Sequence, residues 1–200
     1  MINLLYPLLT KEIPTGLSDE DVVQEFVVSN NVAYFDILYK RYSGKVFGKC
    51  LSILKSESEA EDAMQEIFMK ILLNLSKFSG RSKFSTWLYS ITYNFCIDSI
   101  RRKKKDKSVL VEDMSSEHDT AEDDVEDRFI METNVKRLKV ILEELPVGDK
   151  AILLMKYQDD FSIREISGML DKSESAVKMK IKRAKQKFKK LHSELYKNTL

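Results

Sequence analysis

Glycine and proline are scarce in this sequence, with six and three among 200 residues. So few breakers, set among abundant Leu, Ile, Lys and Glu, predict a mostly helical chain. No glycine-rich phosphate loop is present, which excludes a P-loop or dinucleotide-binding reading. There are two cysteines, Cys50 and Cys96, each inside an apolar helical pattern. They predict buried thiols in a reducing compartment rather than a disulfide. Two histidines, His118 and His192, stand apart in polar surroundings. No Cys/His cluster has metal-ligand spacing, so no metal and no cofactor is implied. No Ser/His/Asp or Cys/His arrangement suggests nucleophilic catalysis, and an enzyme is the weakest functional class. No stretch approaches the roughly 20 apolar residues of a membrane span. Met1–Leu9 is apolar but short, without a basic leader or a small-residue cleavage site. The expectation is a cytoplasmic protein without membrane insertion.

What is present is charge in blocks. The 33 Lys and Arg nearly cancel the 32 Asp and Glu, for a formal net charge of +1. That balance conceals a run of cations from Arg101 to Lys105. Nine acids then fall between Glu112 and Asp127 without a Lys or Arg, and nine cations against one acid fall between Lys172 and Lys190. Two basic patches separated by an acidic strip say more about partners than the total does. The strip lacks aromatic residues and apolar periodicity, so it cannot bury enough surface to offset its ordering entropy. It reads as a flexible linker. The expected organisation is all-α: a tail over 1–16, a helical domain over 17–106, an acidic linker over 107–133 and a second helical domain over 134–200.

In the first domain, Ser18-Asp-Glu-Asp21 supplies a helix cap and acids suited to the positive end of the helix dipole. A second helix is expected over Val32–Leu54, with Phe35, Leu38, Tyr42, Val46 and Cys50 at helical spacing. Ser58-Glu-Ala-Glu61 reads as a capping box. The helix it opens has apolar residues at 60, 63, 64, 67, 68, 71, 72 and 75, which is one complete buried face. A second stripe on the same helix joins Asp62, Gln65, Glu66, Met69 and Leu73. It is either a solvated face carrying two stray apolar residues or a docking face for a partner helix. The next segment, Lys77 to Trp87, interleaves aromatic rings with cations. That composition suits unpaired nucleic acid, with rings stacking on bases and cations following phosphates. A plain polar loop beside a core Trp is the alternative. The helix from Ser85 then runs into the Arg101–Lys105 cations, which also complement a helix C-terminus.

The second domain opens with an amphipathic helix over Val135–Leu145, ended by Pro146, and a short helix over Asp149–Tyr157. Ser162-Ile-Arg-Glu165 is a further capping box. Its helix turns Ile163, Ile166, Met169 and Leu170 inward. Asp171-Lys-Ser173 makes a short turn with Ser173 as N-cap. The last helix carries Val177, Ile181, Ala184, Phe188 and Leu191 on one face, and Lys or Arg over the rest. Two helices joined by a short turn, the second strongly basic, describe a reader of the DNA major groove. A basic amphipathic helix on a membrane surface or an acidic protein is the alternative.

The two halves together resemble the bacterial sigma-70 family, specifically its small extracytoplasmic-function type. Asp62-Ala-Met-Gln-Glu-Ile-Phe68 is similar to the family's polymerase-binding helix, region 2.2. Phe84-Ser-Thr-Trp-Leu-Tyr89, Ile91-Thr-Tyr-Asn94 and Asp98-Ser-Ile-Arg-Arg102 look like regions 2.3 and 2.4. Leu145-Pro-Val-Gly-Asp-Lys150 and Ser162-Ile-Arg-Glu-Ile166 resemble the start of region 4 and its helix-turn-helix. The order and spacing of these segments carry the match; the tail and the linker have no counterpart.

The resemblance implies an RNA polymerase sigma factor that binds core polymerase, recognises promoter −35 and −10 elements and promotes initiation, with no catalytic residues of its own. Asp62, Gln65, Glu66 and Met69 would dock on the clamp coiled coil of the largest catalytic subunit. Ser79, Gly80, Arg81, Ser82, Lys83 and Phe84, with Tyr93, Asn94 and Asp98, would hold the non-template strand of the −10 element. Arg101, Arg102 and Lys103 would meet phosphates beside it. Lys178, Met179, Lys182 and Arg183 would face the −35 element, with Lys150 supporting its phosphate backbone. An anti-sigma protein is the expected regulator. A stand-alone helix-turn-helix regulator is one rival reading and leaves the aromatic loop and the surplus stripe unexplained; a basic interaction protein that binds acidic partners or lipid is the other, and it predicts no sequence preference and no promoter activity.

Overall fold

A computed structural model of the chain describes residues 16–106 and 125–196. The apolar tail and most of the acidic strip lie outside them. Every regular element among the described residues is helical.

Helix α1 (Asp19–Ser29) begins at Ser18, whose side chain accepts from the Asp21 N–H while the Asp21 carboxylate accepts from the Ser18 N–H. This reciprocal box satisfies two of the donors that a helix start leaves open. Helix α2 (Val32–Leu54) is capped by Asn31 and closed by Lys55 in the left-handed conformation. Helix α3 (Glu57–Asn74) starts two residues earlier than the expected capping box at Ser58–Glu61. Ser56 is the N-cap and accepts from the Glu59 N–H. Two serines two residues apart offer the same local signal, and the left-handed turn at Lys55 decides between them. A single 3₁₀ turn, Leu75–Lys77, leads to a loop that bends at Gly80, where φ is +67°. Helix α4 (Phe84–Asp106) follows. The Phe84 N–H donates to the Glu20 carboxylate at 2.8 Å, so α1 caps α4 in space.

Val22, Leu38, Val46, Ile67, Ile71 and Leu88 fill the centre of this four-helix unit and are fully buried or nearly so. Cys50 and Cys96 are both buried and unbridged, with sulfurs 3.6 Å apart across α2 and α4. The hydrogen bond that the Cys96 thiol donates to Cys50, and then burial, raise the pKa of Cys96.

The second unit begins inside the segment read as linker. Helix α5 (Asp127–Glu132) packs by Phe129 on Phe188, with ring centroids 6.3 Å apart, and buries Ile130. An acidic composition concealed it, because only two of its residues carry the packing. Helices α6 (Val135–Glu144) and α7 (Val147–Leu153) follow, and one π-helical turn over Leu154–Gln158 extends α7. Helix α8 (Ile163–Leu170) carries the expected box between Ser162 and Glu165. Asp171, at φ 49°, turns the chain into α9 (Glu174–Tyr196), whose first turn is held by the Ser173 hydroxyl.

The two units pack against each other. Helices α7 and α8 and the residues around them sit on α2 and α4. The acidic linker predicted freedom; the tertiary contacts supply a closed arrangement.

Candidate functional site

Helix α3 presents Asp62, Gln65, Glu66 and Met69 on one exposed face, with Leu73 beside them. Met69 is 58% and Leu73 71% exposed, so the core needs neither. The helix spends its other face on Ala60, Ala63, Ile67, Phe68 and Ile71. Acids, an amide and two unpartnered apolar side chains thus share one accessible stripe.

The loop from Ser79 to Lys83 is exposed at every position, including Gly80, Arg81 and Ser82. Phe84 differs. It was expected to stand with the loop against a base, but it is fully buried, ringed by Tyr42 at 5.6 Å, Phe78 at 5.8 Å and Trp87 at 6.0 Å. Its ring anchors α4 to the core, while the adjoining loop residues Ser79 to Lys83 face outward.

Tyr93 and Asn94 lie on the face of α4 that the second unit covers. Tyr93 is fully buried and its hydroxyl donates to Asp159 Oδ2 at 2.7 Å. Burial, then the Asp159 charge, push its pKa far up, and the same two causes lift Tyr89 to about 12. Asn94 Nδ2 donates to the Met169 carbonyl at 2.8 Å. Farther along α4, Asp98 is exposed, with Arg101 Nη1 3.7 Å away. The Arg102 Nε donates to the Asp98 carbonyl, and Lys103 pairs with Glu59. Arg101, Arg102 and Lys103 are all exposed; the side chains of Lys104 and Lys105 lie outside the described ones.

On α9, Lys178, Met179 and Arg183 are exposed and Lys182 is half-buried. The inward Lys185 is tied to Asp127 and the half-exposed Lys187 to Asp149, each at 3.0 Å. Lys150, expected beside a phosphate backbone, points inward instead. It is 3% exposed and its ammonium lies 2.6 Å from the Glu143 carboxylate. That hydrogen bond leads the causes that hold Glu143 below the usual carboxyl pKa.

Sequence reasoning missed Lys49 and Asp159. Lys49 follows Val46 and precedes Cys50 and Ile53 on the buried stripe of α2, and a cation on an apolar stripe is the signal that could have found it. Its ammonium pairs with Asp159 and lies 4.4 Å from the Tyr89 ring centroid. Among the described residues no buried side-chain nitrogen or oxygen lacks a hydrogen-bond partner. No His/Cys/Asp/Glu group among them is placed to hold a metal ion. None of their helices is long and apolar enough to cross a membrane.

Comparison with known proteins gives matches over both units. The family model "Sigma-70 region 2" matches residues 38–106, and "Sigma-70, region 4" matches residues 136–188. The chain is 33% identical over 156 residues to the ECF RNA polymerase sigma factor SigW of Bacillus subtilis, covering 74% of this chain and 83% of that one. It is 27% identical over 186 residues to the RNA polymerase sigma-H factor of Pseudomonas aeruginosa, covering 90% and 93%. Among solved structures, CnrH in complex with the cytosolic domain of CnrY aligns with a TM-score of 0.60 at 20% identity, over 88% of this chain and 97% of that one. The sigma factor RpoE, in complex with the anti-sigma factor NepR from Bartonella quintana, aligns with a TM-score of 0.57 at 18% identity, over 83% and 98%. At such identities these two speak for the fold alone.

Proposed function

This chain belongs to the sigma-70 family, in its extracytoplasmic-function group, and from that premise we propose how its surfaces divide the work of initiation. It is an initiation factor and not an enzyme: it binds core RNA polymerase, recognises promoter DNA and promotes transcription initiation. Nucleotide chemistry belongs to the polymerase.

Residues 17–106 form the polymerase-binding and −10 domain in this reading, and the −35 domain begins at α5 rather than at residue 134. Asp62, Gln65, Glu66 and Met69 dock on the clamp coiled coil of the largest polymerase subunit. The observation that carries this assignment is the exposed stripe on α3, where Met69 and Leu73 have no structural use. Burying such apolar groups at a rim of acids gives affinity from the former and orientation from the latter.

Ser79, Gly80, Arg81, Ser82 and Lys83 carry the non-template strand, with Tyr93, Asn94 and Asp98 as its wall and Arg101, Arg102 and Lys103 on the phosphates. Phe84 serves this surface as an anchor beneath the loop. Unstacking a base costs a few kcal/mol, which stacking and backbone contacts offset. Lys178, Met179, Lys182 and Arg183 meet the −35 element. Lysine cannot make the bidentate contacts of arginine, so phosphate contact and DNA shape dominate there over base readout. Lys150 has no DNA contact in this scheme. The protein works in the cytoplasm, where polymerase is. An anti-sigma protein holds it in reserve, as membership of this group implies.

The test is run-off transcription on genomic fragments with core polymerase, with and without the protein. Transcripts that appear only with the protein establish its promoter. Absence of both transcripts and polymerase binding would favour the stand-alone DNA-binding regulator.

A further inference from the structure

Helix α1 (Asp19–Ser29) precedes residues 38–106, the stretch matched to region 2, and none of the surfaces assigned above uses it. We propose that α1 braces the loop from Ser79 to Lys83, with Glu20 and Asp19 as positioning residues for strand capture that hold Phe84 by its backbone and by its ring. The inference rests on the assignment of that loop to the non-template strand and adds what sets the loop in place.

The loop is exposed at every position and bends at Gly80, so no side chain of its own is buried to fix its course. The course is set at the two ends. Helix α1 touches both, the 3₁₀ turn Leu75–Lys77 before the loop and α4 after it.

Helix α4 starts without a local cap. Lys83 stands where Ser, Thr, Asp or Asn ordinarily caps a helix, and an ammonium offers no lone pair to an N–H. Its charge also opposes the positive end of the helix dipole. The missing acceptor comes from 64 residues away, where the Glu20 carboxylate takes the Phe84 N–H at 2.8 Å. On the other side, the Lys83 carbonyl accepts from the Trp87 N–H at 3.2 Å. The peptide group joining Lys83 to Phe84 is thus held through both its N–H and its C=O. A cation here breaks the capping rule at the point where a strand-following loop needs a cation, and α1 supplies the compensation.

The Phe84 ring is held from the same helix by a second route. Asp19 accepts from the Tyr42 hydroxyl and lies 2.6 Å from Arg41 Nη1, while Arg41 Nη2 donates to the Leu17 carbonyl at 2.8 Å. Burial, then the hydrogen bond to Asp19, raise the Tyr42 pKa, so the phenol remains a donor. Tyr42, fixed in this way, meets the Phe84 ring edge-on with centroids 5.6 Å apart. Two neighbouring acids of α1 therefore converge on the residue where exposed loop becomes buried helix. A loop whose exit wanders presents Arg81 and Lys83 in the capturing geometry for only part of the time. Its apparent affinity for the strand scales with that fraction.

Holoenzyme assembled from core polymerase and the full-length protein tests this. The probe is a single strand with the non-template −10 sequence of a promoter found by run-off transcription, carrying 2-aminopurine for one adenine so that unstacking raises its fluorescence. Glu20 is exposed, so replacing it opens no cavity. Glu20→Ala is expected to bind the strand roughly tenfold or more weakly, with a smaller fluorescence rise, at unchanged polymerase affinity and helicity. Glu20→Gln keeps a carbonyl acceptor and is expected to stay within about threefold of wild type. Tighter binding in both variants would mean that Glu20 acts only by its charge, and it overturns the brace. So do equal losses in both, or unchanged binding in Glu20→Ala. If Glu20→Ala loses helicity, Tyr42→Phe takes its place: it keeps the ring and drops the tie to Asp19, and unchanged strand binding there overturns the brace. Arg81→Ala with Lys83→Ala is run beside them. A loss in that double variant with none in Glu20→Ala sinks the brace and leaves the strand assignment standing; no loss in either strikes the assignment itself.

Discussion

The Tyr93 hydroxyl donates to Asp159 at 2.7 Å, and this bond joins α4 of the first unit to the turn after α7 in the second. It places a group expected at a nucleic-acid surface in the interior. It also makes the environment of Tyr93 a reporter of the closed arrangement, because burial and the Asp159 charge both hold the phenol protonated.

Charge reversal on the α3 stripe separates docking from folding. Asp62→Lys with Glu66→Lys changes two exposed side chains for which no ion pair is seen among the described residues. Surface substitutions of this kind shift stability by only about 0.5 kcal/mol. Polymerase affinity is expected to fall roughly tenfold or more, with an unchanged melting curve. Equal affinity would remove the docking face.

Salt dependence addresses α9. Each lost phosphate contact lowers the slope of log K against log salt by about 0.9. Lys178→Ala with Arg183→Ala should therefore flatten the slope measured on −35 duplex DNA and weaken −35-dependent initiation. Lys150→Met should leave the slope where it is, since the Lys150 ammonium is turned to Glu143. A flattened slope in Lys150→Met would show that this lysine swings out to DNA.

The aromatic loop divides into an anchor and a contact. Phe84→Ala removes a fully buried ring and is expected to cost about 3–5 kcal/mol of stability, read as a fall in the denaturant midpoint. Arg81→Ala with Lys83→Ala removes exposed cations. It should slow promoter opening, followed by permanganate reactivity of unpaired thymines, with midpoint and polymerase binding unchanged. A large midpoint loss in the double variant would assign the loop a structural role.

Acid should loosen the closed arrangement. Glu143 is held below its ordinary value of 4.5 first by Lys150 and then by Lys55; Glu165 is held there first by the Ser162 N–H and further by Thr86. Carboxyls with lowered folded pKa values contribute stability above the ordinary value and lose it as pH falls through the folded one. The Lys150 and Ser162 contributions act within the second unit and are the same in an opened chain; the Lys55 and Thr86 contributions cross between the units, so scattering should report expansion as pH drops below about 4.5, and no change from these groups between neutral and mildly alkaline pH. Expansion on raising pH instead would contradict the roles given to Glu143 and Glu165.

Local devices were legible because their signals lie within a few residues. The Ser18 and Ser162 caps, the span Val32–Leu54 and the inward stripe of α3 all follow from helical spacing and capping chemistry. The error at Ser58 is also local: two serines compete, and a backbone turn chooses. Helix α5 escaped because its acids fit a solvated tether, while its packing depends on Phe188, far along the chain.

By itself, then, the sequence determined the helices other than α5, the two-unit order, the basic face of α9 and the surplus stripe on α3. Each is a repeat of chemistry at helical period, and solvent alone sorts such faces. The tertiary structure decided that Phe84 is an anchor, that Lys150 turns inward and that Tyr93 is covered. Lys49 and Asp159 are 110 residues apart. A charge on an apolar stripe signals that a partner exists, but the partner is chosen by which surfaces meet. That meeting is a balance of desolvation against paired charges and hydrogen bonds, and no short window of sequence contains both sides of it.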